Sequence, residues 1–372
     1  MTDKKKFKVT FVCRSENPSG GQRVIAIYAD HLTRRGHQVT VVLPGAQSLS
    51  LRDRARAILR QRLWRFRGRR HEFSFFRNAS FEVRRLAHPG PVSDEDLPDA
   101  DIVIASWWET AEWIAALSPR KGTKIYFIQG HEVHEYLPIT RVRATYRLNL
   151  HKIAVAPWLR RIMHEQYGDP VVDVVPNSVD RTQFFAPVRD KQSTPSVGFL
   201  YASAALKGVD TTLSVIESVR RRVPNLQIIA FGSERPNRVL PLPHGTTFYY
   251  SPPQDEIRDI YAHCDVWVTA SRSEGFNLTA LEAMACRTPV VSTRTGWPED
   301  AIKPGWNGVL VDIDDVAGLA KGIEWVLSRN KEEWRMLSTN AFATASAGSW
   351  EESAAMFEQA LEHALRRAAE GT

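Results

Sequence analysis

At 372 residues, with 43% hydrophobic and 24% charged content, the chain is too long for one ordinary core and too apolar for wholesale disorder, so two domains of about 150 to 200 residues each are expected. No run of about 18 apolar residues occurs, which excludes a helical membrane span. The net charge of +7 is concentrated in one stretch, and three cysteines (Cys13, Cys264 and Cys286) without metal-like spacing favour a reducing cytoplasm over a disulfide scaffold.

The opening "MTDKKKFKVTFVCR" has a basic flank but a short apolar run and no small-residue cleavage site, so it reads as a first strand and not a signal. "FKVTFVCR" as strand, "SENPSGGQ" as loop, "RVIAIYADHLTRRG" as helix and "HQVTVVL" as strand make a βαβ unit. Val24, Ile27, Tyr28, His31 and Leu32 recur at helical spacing, and Gly36 sits where the helix should end. Residues 51–85 then carry twelve Arg against three acidic residues, interleaved with Leu59, Leu63, Trp64, Phe66, Phe73, Phe75 and Phe76, while the rest of the chain is close to neutral. Such a segment suits an anionic membrane surface, or a solvated face whose aromatics pack on the domain. No nucleic-acid motif accompanies it, so no nucleic-acid partner is expected.

"ADIVIAS", "TKIYFIQG", "KIAVAP" and "VDVVPN" continue as short apolar strands, and the pattern restarts at "SVGFLYAS" with "LQIIAFGS", "TTFYY", "DVWVTAS", "PVVST" and "GVLVD" alternating with helices. Continuous apolar strands between helices imply parallel sheets covered on both faces. "APVRDKQSTPS", residues 186–196, is polar and proline-bearing and is the expected linker. The domains are therefore drawn at 1–185, with a basic insertion at about 46–95, and at 186–348. A helix over 349–372 is expected to pack back on the first domain.

In "VWVTASRSEGFNLTALEAMAC" a strand ends near Ser271, a loop carries Glu274 and Gly275, and Asn277 is suited to cap a helix starting at Leu278. The N–H groups of Leu278 and Thr279 would then lie at the positive end of the helix dipole, a place for a pyrophosphate. Glu282, farther along that helix, would reach two adjacent hydroxyls of a ribose. Two glutamates eight apart are common by chance; the surrounding residues decide.

The stretch resembles the Glu, seven residues, Glu motif of family 4 retaining glycosyltransferases. "PSGGQRVIAIYADHLTRRGHQVTVV", "VPNSVDRTQFF" and "LKGVDTTLSVI" are similar to that family's amino-terminal glycine loop, its Asn-Gly-Val-Asp segment and its Lys-Gly segment. The resemblance implies the α/β GT-B fold of two facing Rossmann-like, doubly wound domains with a cleft between them. It implies that Lys207 meets the donor phosphates, Glu274 the donor sugar and Glu282 the ribose, with Gly20 and Gly21 as a loop admitting close backbone approach. "YFIQGHEVHEYLP" supplies His131, at a strand's carboxyl end, as the residue expected to contact the donor sugar, with Gln129 as the second choice. In "SWWETAEW", Trp107, Trp108 and Glu109 are either acceptor-groove residues or core. Together with "YFIQGHE", that segment is similar to transferases building rhamnose-containing bacterial surface glycans.

The chain departs from the family at Ala202, where an Arg is usual, at Asn277 in place of Gly, and at Ser178 in place of the Gly of Asn-Gly-Val-Asp. Arg272, Arg294 and Arg14 are the candidates to supply the missing charge. No Asp-x-Asp metal pair is present, "DIDD" at 312–315 reading as a polar helix start, so neither metal nor cofactor is expected. The expectation is thus a retaining, metal-independent transferase using a nucleoside-diphosphate sugar and a polysaccharide or lipid-linked acceptor at the cytoplasmic membrane face. A non-catalytic glycan- or partner-binding protein and a nucleotide-sugar epimerase are the alternatives. A nicotinamide dehydrogenase is disfavoured, because "CRSENPSGG" lacks G-x-G-x-x-G and the second strand ends without an acid.

Overall fold

The computed structural model describes residues 5–17, 19–45 and 74–371. Most of the arginine-rich segment, including Leu59, Leu63, Trp64, Phe66 and Phe73, lies outside the described residues. The chain divides into two compact units, Met1–Val175 with Ala354–Thr372, and Pro176–Ser353.

In the first unit the order along the chain is β1 (Lys8–Val12), α1 (Gly20–Arg34), β2 (Gln38–Leu43), β3 (Glu82–Arg85), β4 (Ile102–Ala105), α2 (Trp108–Ala115), β5 (Thr123–Ile128), α3 (Ile139–Thr145), β6 (His151–Ala154), α4 (Pro157–Tyr167) and β7 (Val172–Val174). Among the described residues the strands form one sheet, β3-β2-β1-β4-β5-β6-β7, parallel at every pairing. The inner strands are buried along nearly their whole length, as helices on both faces require. The order reverses between β1 and β4, so loops leaving the carboxyl ends of those strands diverge and open a crevice.

Helix α1 begins earlier than its apolar periodicity suggests. Ser19 caps it by accepting the Gln22 N–H at 3.5 Å, so Gly20 and Gly21 form its first turn and are not loop residues. Its buried stripe runs through Val24, Ile25, Tyr28, Ala29 and Leu32, while Ile27 and His31 are half-buried. The shift has a visible cause: Tyr28 stacks at 4.4 Å on Phe357, a fully buried side chain of the chain's last helix. At its other end Gly36 takes φ +93°, the left-handed conformation that ends helices and that glycine adopts without strain.

The second unit runs β8 (Ser196–Leu200), α5 (Val209–Arg220), β9 (Gln227–Gly232), β10 (Thr247–Tyr250), α6 (Ile257–Ala262), β11 (Val266–Thr269), α7 (Leu278–Ala285), β12 (Val290–Thr293), α8 (Trp297–Ala301), β13 (Gly308–Val311), α9 (Val316–Leu327) and α10 (Lys331–Ala345). Its strands are again all parallel, in the order β10-β9-β8-β11-β12-β13, which is the doubly wound arrangement with its switch between β8 and β11. Residues 186–196, expected as a linker, are bonded into this unit. Arg189 donates to the Cys264 carbonyl at 2.6 Å and the Gln192 N–H to Asp265 at 2.8 Å. The fixed ends of polar side chains, not the apolar pattern, hold this stretch in place.

The final helix, α11 (Trp350–Ala369), joins the first unit from Ala354 onward. Phe357 packs against both Tyr28 and Phe127, which also meet each other edge-on at 5.6 Å, and Glu358 pairs with Arg35 at 2.6 Å and His37 at 3.0 Å. Burying one such phenylalanine contributes about 2 to 3 kcal/mol. All three cysteines are buried and free. Among the described residues no helix is long and apolar enough to cross a membrane.

Candidate active site

In the second unit the two strands that flank the switch point each deliver one candidate. After β8 the chain makes a 3-10 turn, Ala205–Lys207, and then Gly208 at φ +57°. A Cβ at Gly208 would stand 1.9 Å from the Ala270 carbonyl oxygen, so only glycine lets this turn press against the end of β11. Lys207 is thereby placed beside Glu274, its Nζ donating to Oε1 at 2.8 Å and Oε2 at 2.9 Å. Glu274 is well shielded, with 10% of its side chain exposed against 35% for Lys207, so the lysine remains the more accessible partner.

Glu274 is fixed from beneath by a chain of side chains that starts at the expected cap Asn277 and runs through Thr269 and Ser271, whose bonds to one another the sequence reading did not foresee. Asn277 Nδ2 donates to Thr269 Oγ1 at 2.9 Å, Thr269 and Ser271 hydroxyls meet at 3.3 Å, and Ser271 Oγ donates to Glu274 Oε1 at 2.7 Å. An amide nitrogen can only donate, and a carboxylate can only accept. The middle bond must therefore be donated by Thr269, and the chain runs one way, toward Glu274. Thr269 and Ser271 are two apart at the end of β11, the strand period that puts side chains on one face. That serine-threonine alternation was a readable signal. Gly296, at φ +64°, leaves room on the other side, since a Cβ there would lie 3.0 Å from that of Glu274.

Asn277 caps α7 as expected, in the left-handed region at φ +74°, accepting from the Ala280 N–H at 3.3 Å and from the Thr279 hydroxyl at 2.9 Å. The first-turn N–H groups of Leu278 and Thr279 sit at the positive end of this helix. One turn on, Glu282 is buried, and its Oε2 accepts the hydroxyl of the fully buried Tyr261 at 2.8 Å. Tyr261 comes from α6 and carries no local sequence signal linking it to the glutamate.

Three arginines were candidates to replace the missing charge at Ala202, and all are engaged. Arg272 forms a two-pronged pair with Asp210 at 2.9 and 2.8 Å and a further one with Asp314 at 2.8 Å. Arg294 pairs with Asp312 at 3.1 Å, and Arg14 pairs with Glu109. Asp315, in "DIDD", caps α9 by accepting the Gly318 N–H at 2.8 Å.

In the first unit the candidates again gather at carboxyl ends of strands. Gly21, in the first turn of α1, lies against the Gln129 side chain; a Cβ there would be 3.4 Å from Gln129 Oε1. Two residues beyond Gln129, His131 Nε2 meets the Tyr167 hydroxyl at 2.7 Å, with the Tyr146 ring 5.5 Å away. Burial, then the Arg143 and His134 charges, pull the His131 pKa down to about 4, so its imidazole is neutral at pH 7. Trp108 is core, 4% exposed, with the Arg141 guanidinium 5.1 Å over its ring. Glu109 is tied to Arg14, and Trp107, half-buried, is the N-cap residue of α2, its N–H donating to Thr110 Oγ1 at 3.0 Å and its carbonyl accepting from the same hydroxyl at 2.8 Å.

The family model described as "Glycosyltransferase Family 4" matches residues 18–183, and that described as "Glycosyl transferases group 1" matches residues 180–344. Among curated relatives, a D-inositol 3-phosphate glycosyltransferase of Corynebacterium urealyticum is 31% identical over 176 residues, which is 44% of this chain and 41% of that relative. The matched stretch thus spans about two fifths of that relative's length. Among solved structures, a sucrose-phosphate synthase from Thermosynechococcus elongatus has a TM-score of 0.71 at 17% identity, covering 98% of this chain and 100% of that one. Anabaena HepE in complex with UDP-glucose has a TM-score of 0.70 at 17% identity, covering 96% and 99%. At such identities these two share the fold, which is that of the GT-B glycosyltransferases.

Proposed function

Since the chain belongs to the group 1 and family 4 glycosyltransferases of GT-B fold, we propose that it moves a sugar from a nucleoside-diphosphate sugar to a glycan or lipid-linked acceptor, with retention of configuration and without a metal. The observation that carries this reading is the Lys207–Glu274 pair at the switch point of the second unit's sheet, next to the amino end of α7. Cleavage of the sugar–phosphate bond builds negative charge on the departing oxygen. An ammonium and a helix amino terminus stabilise that charge from fixed positions.

In this reading the diphosphate sits on the N–H groups of Leu278 and Thr279 with Lys207 swung onto it. Glu274, held by Ser271, accepts from donor sugar hydroxyls. The ribose lies toward Glu282. On the first unit His131, neutral, can hydrogen-bond a sugar without adding charge, with Gly20, Gly21 and Gln129 shaping that approach. HepE, solved with UDP-glucose, makes UDP-sugars the first donors to try. The arginine-rich segment motivates a contact with anionic membrane at the cytoplasmic face, where lipid-linked acceptors are found.

The test is thermal stabilisation by a panel of nucleotide sugars, followed by product analysis with lipid-linked and soluble acceptors. One donor family should stabilise the wild type and fail to support turnover by Lys207→Ala. Full turnover by that variant would overturn the assignment.

A further inference from the structure

Away from the candidate active site, the first unit holds a second cluster of chemically capable side chains. His151 is the first residue of β6, and Asp173 lies in the neighbouring strand β7, paired in register with Ile153. Since side chains alternate along a strand, His151 and Ile153 share a face, and Asp173 is their diagonal or direct neighbour on it. Helix α11 covers that face and contributes His363. The His131 and Gly21 positions follow the carboxyl ends of their strands, whereas His151 stands at an amino end, so this cluster belongs to the opposite edge of the sheet.

Its geometry is convergent. His151 Nε2 lies 2.7 Å from Asp173 Oδ2, and His363 Nδ1 lies 2.9 Å from the same oxygen. The ligand-capable atoms of the three residues all fall within 4.8 Å of one another. From these positions we propose that His151, Asp173 and His363 form a site for a divalent transition metal, zinc being the best match, that staples α11 to the β6–β7 edge of the first unit. Two imidazoles with one carboxylate make a donor set that zinc, nickel and copper accept, and it is the two borderline imidazole nitrogens that magnesium and calcium disfavour.

Zinc bonds of about 2.0–2.2 Å in tetrahedral array need ligand atoms about 3.3 Å apart. Each imidazole therefore backs off Asp173 by roughly half an ångström, which side-chain torsions absorb. His363 is 36% exposed, Asp173 28% and His151 5%, so a fourth ligand, water, enters from the His363 side. The other ring nitrogen of His151, Nδ1, accepts from Arg367 Nη1 at 3.2 Å; with Nε2 on the metal that nitrogen must carry the ring proton, so Arg367 must swing outward. Arg367 therefore competes with the metal and lowers the affinity of the site.

The experiment uses the full chain without a histidine tag, stripped with chelator, and titrated with zinc chloride, cobalt chloride or magnesium chloride. Calorimetry should show one zinc per chain, and saturating zinc should raise Tm by several degrees through binding to the folded state alone. Cobalt should give the visible bands of a tetrahedral site, and magnesium should do nothing. Asp173→Asn and His363→Gln should each lose the bands and at least tenfold in zinc affinity; His363 is half-exposed, so its variant keeps the apo fold, checked by circular dichroism. Arg367→Gln should bind zinc as tightly as the wild type or more so. Absence of a zinc-induced rise in Tm, or a rise unchanged in His363→Gln, overturns the proposal.

Discussion

Lys207 Nζ stands 2.8 Å and 2.9 Å from the two carboxylate oxygens of Glu274, across the point where the second unit's strand order reverses. In a ligand-free site each group neutralises the other, and a diphosphate must compete for the lysine. The two are therefore coupled. Lys207→Met and Glu274→Gln should each lower kcat by about 100- to 1,000-fold, and the double variant should lose far less than the product of the two. Steady-state kinetics on the four proteins checks it. Strict multiplicativity would separate the roles.

Ser271 acts through Glu274, donating at 2.7 Å. Ser271→Ala removes the last bond of the chain from Asn277 through Thr269 and leaves the carboxylate freer to turn. A hydrogen bond to a charged group is worth about 1.5 to 3 kcal/mol, so kcat should fall about 10- to 100-fold while KM for the donor changes little. An equal loss in Thr269→Val would trace the effect to the chain as a whole. A Ser271→Ala enzyme with wild-type kcat would show that Lys207 alone orients the glutamate.

Glu282 is buried with its Oε2 on the Tyr261 hydroxyl at 2.8 Å. Its truncation strands a buried hydroxyl as well as removing a ligand for the ribose. Glu282→Ala should cost stability, about 1 to 3 kcal/mol, and weaken nucleoside-diphosphate binding. Tyr261→Phe keeps the carboxylate and should mainly affect its placement, with a smaller loss of affinity in calorimetry. If Glu282→Ala lowers Tm but leaves nucleotide affinity intact, the glutamate is a core residue.

His131 titrates near pH 4, below the ordinary value of 6.5, with burial as the main cause. Between those two values the unfolded chain takes up a proton that the folded chain refuses. The corresponding stability is complete above about pH 6.5 and drains away as pH falls toward 4. Nuclear magnetic resonance of the imidazole should find it neutral at pH 6, and His131→Gln should flatten part of the loss of Tm between pH 6 and 4.5. A midpoint at or above 6.5 would contradict this.

The sequence by itself determined the alternation of strand and helix, both parallel sheets, the cap at Asn277 and the ends of strands where Lys207, Glu274 and His131 emerge. These are local matters: side-chain period, turn residues and capping chemistry act over a few positions. Only the tertiary structure decided that Phe357 turns the buried stripe of α1, that Trp108 is core, and that Arg272, Arg294 and Arg14 are already paired. It also decided the partners, Tyr261 for Glu282, Tyr167 for His131 and Gln129 over Gly21. Burial and pairing depend on what another segment brings to the same place, and residues tens to hundreds of positions apart leave no mutual trace in a single sequence.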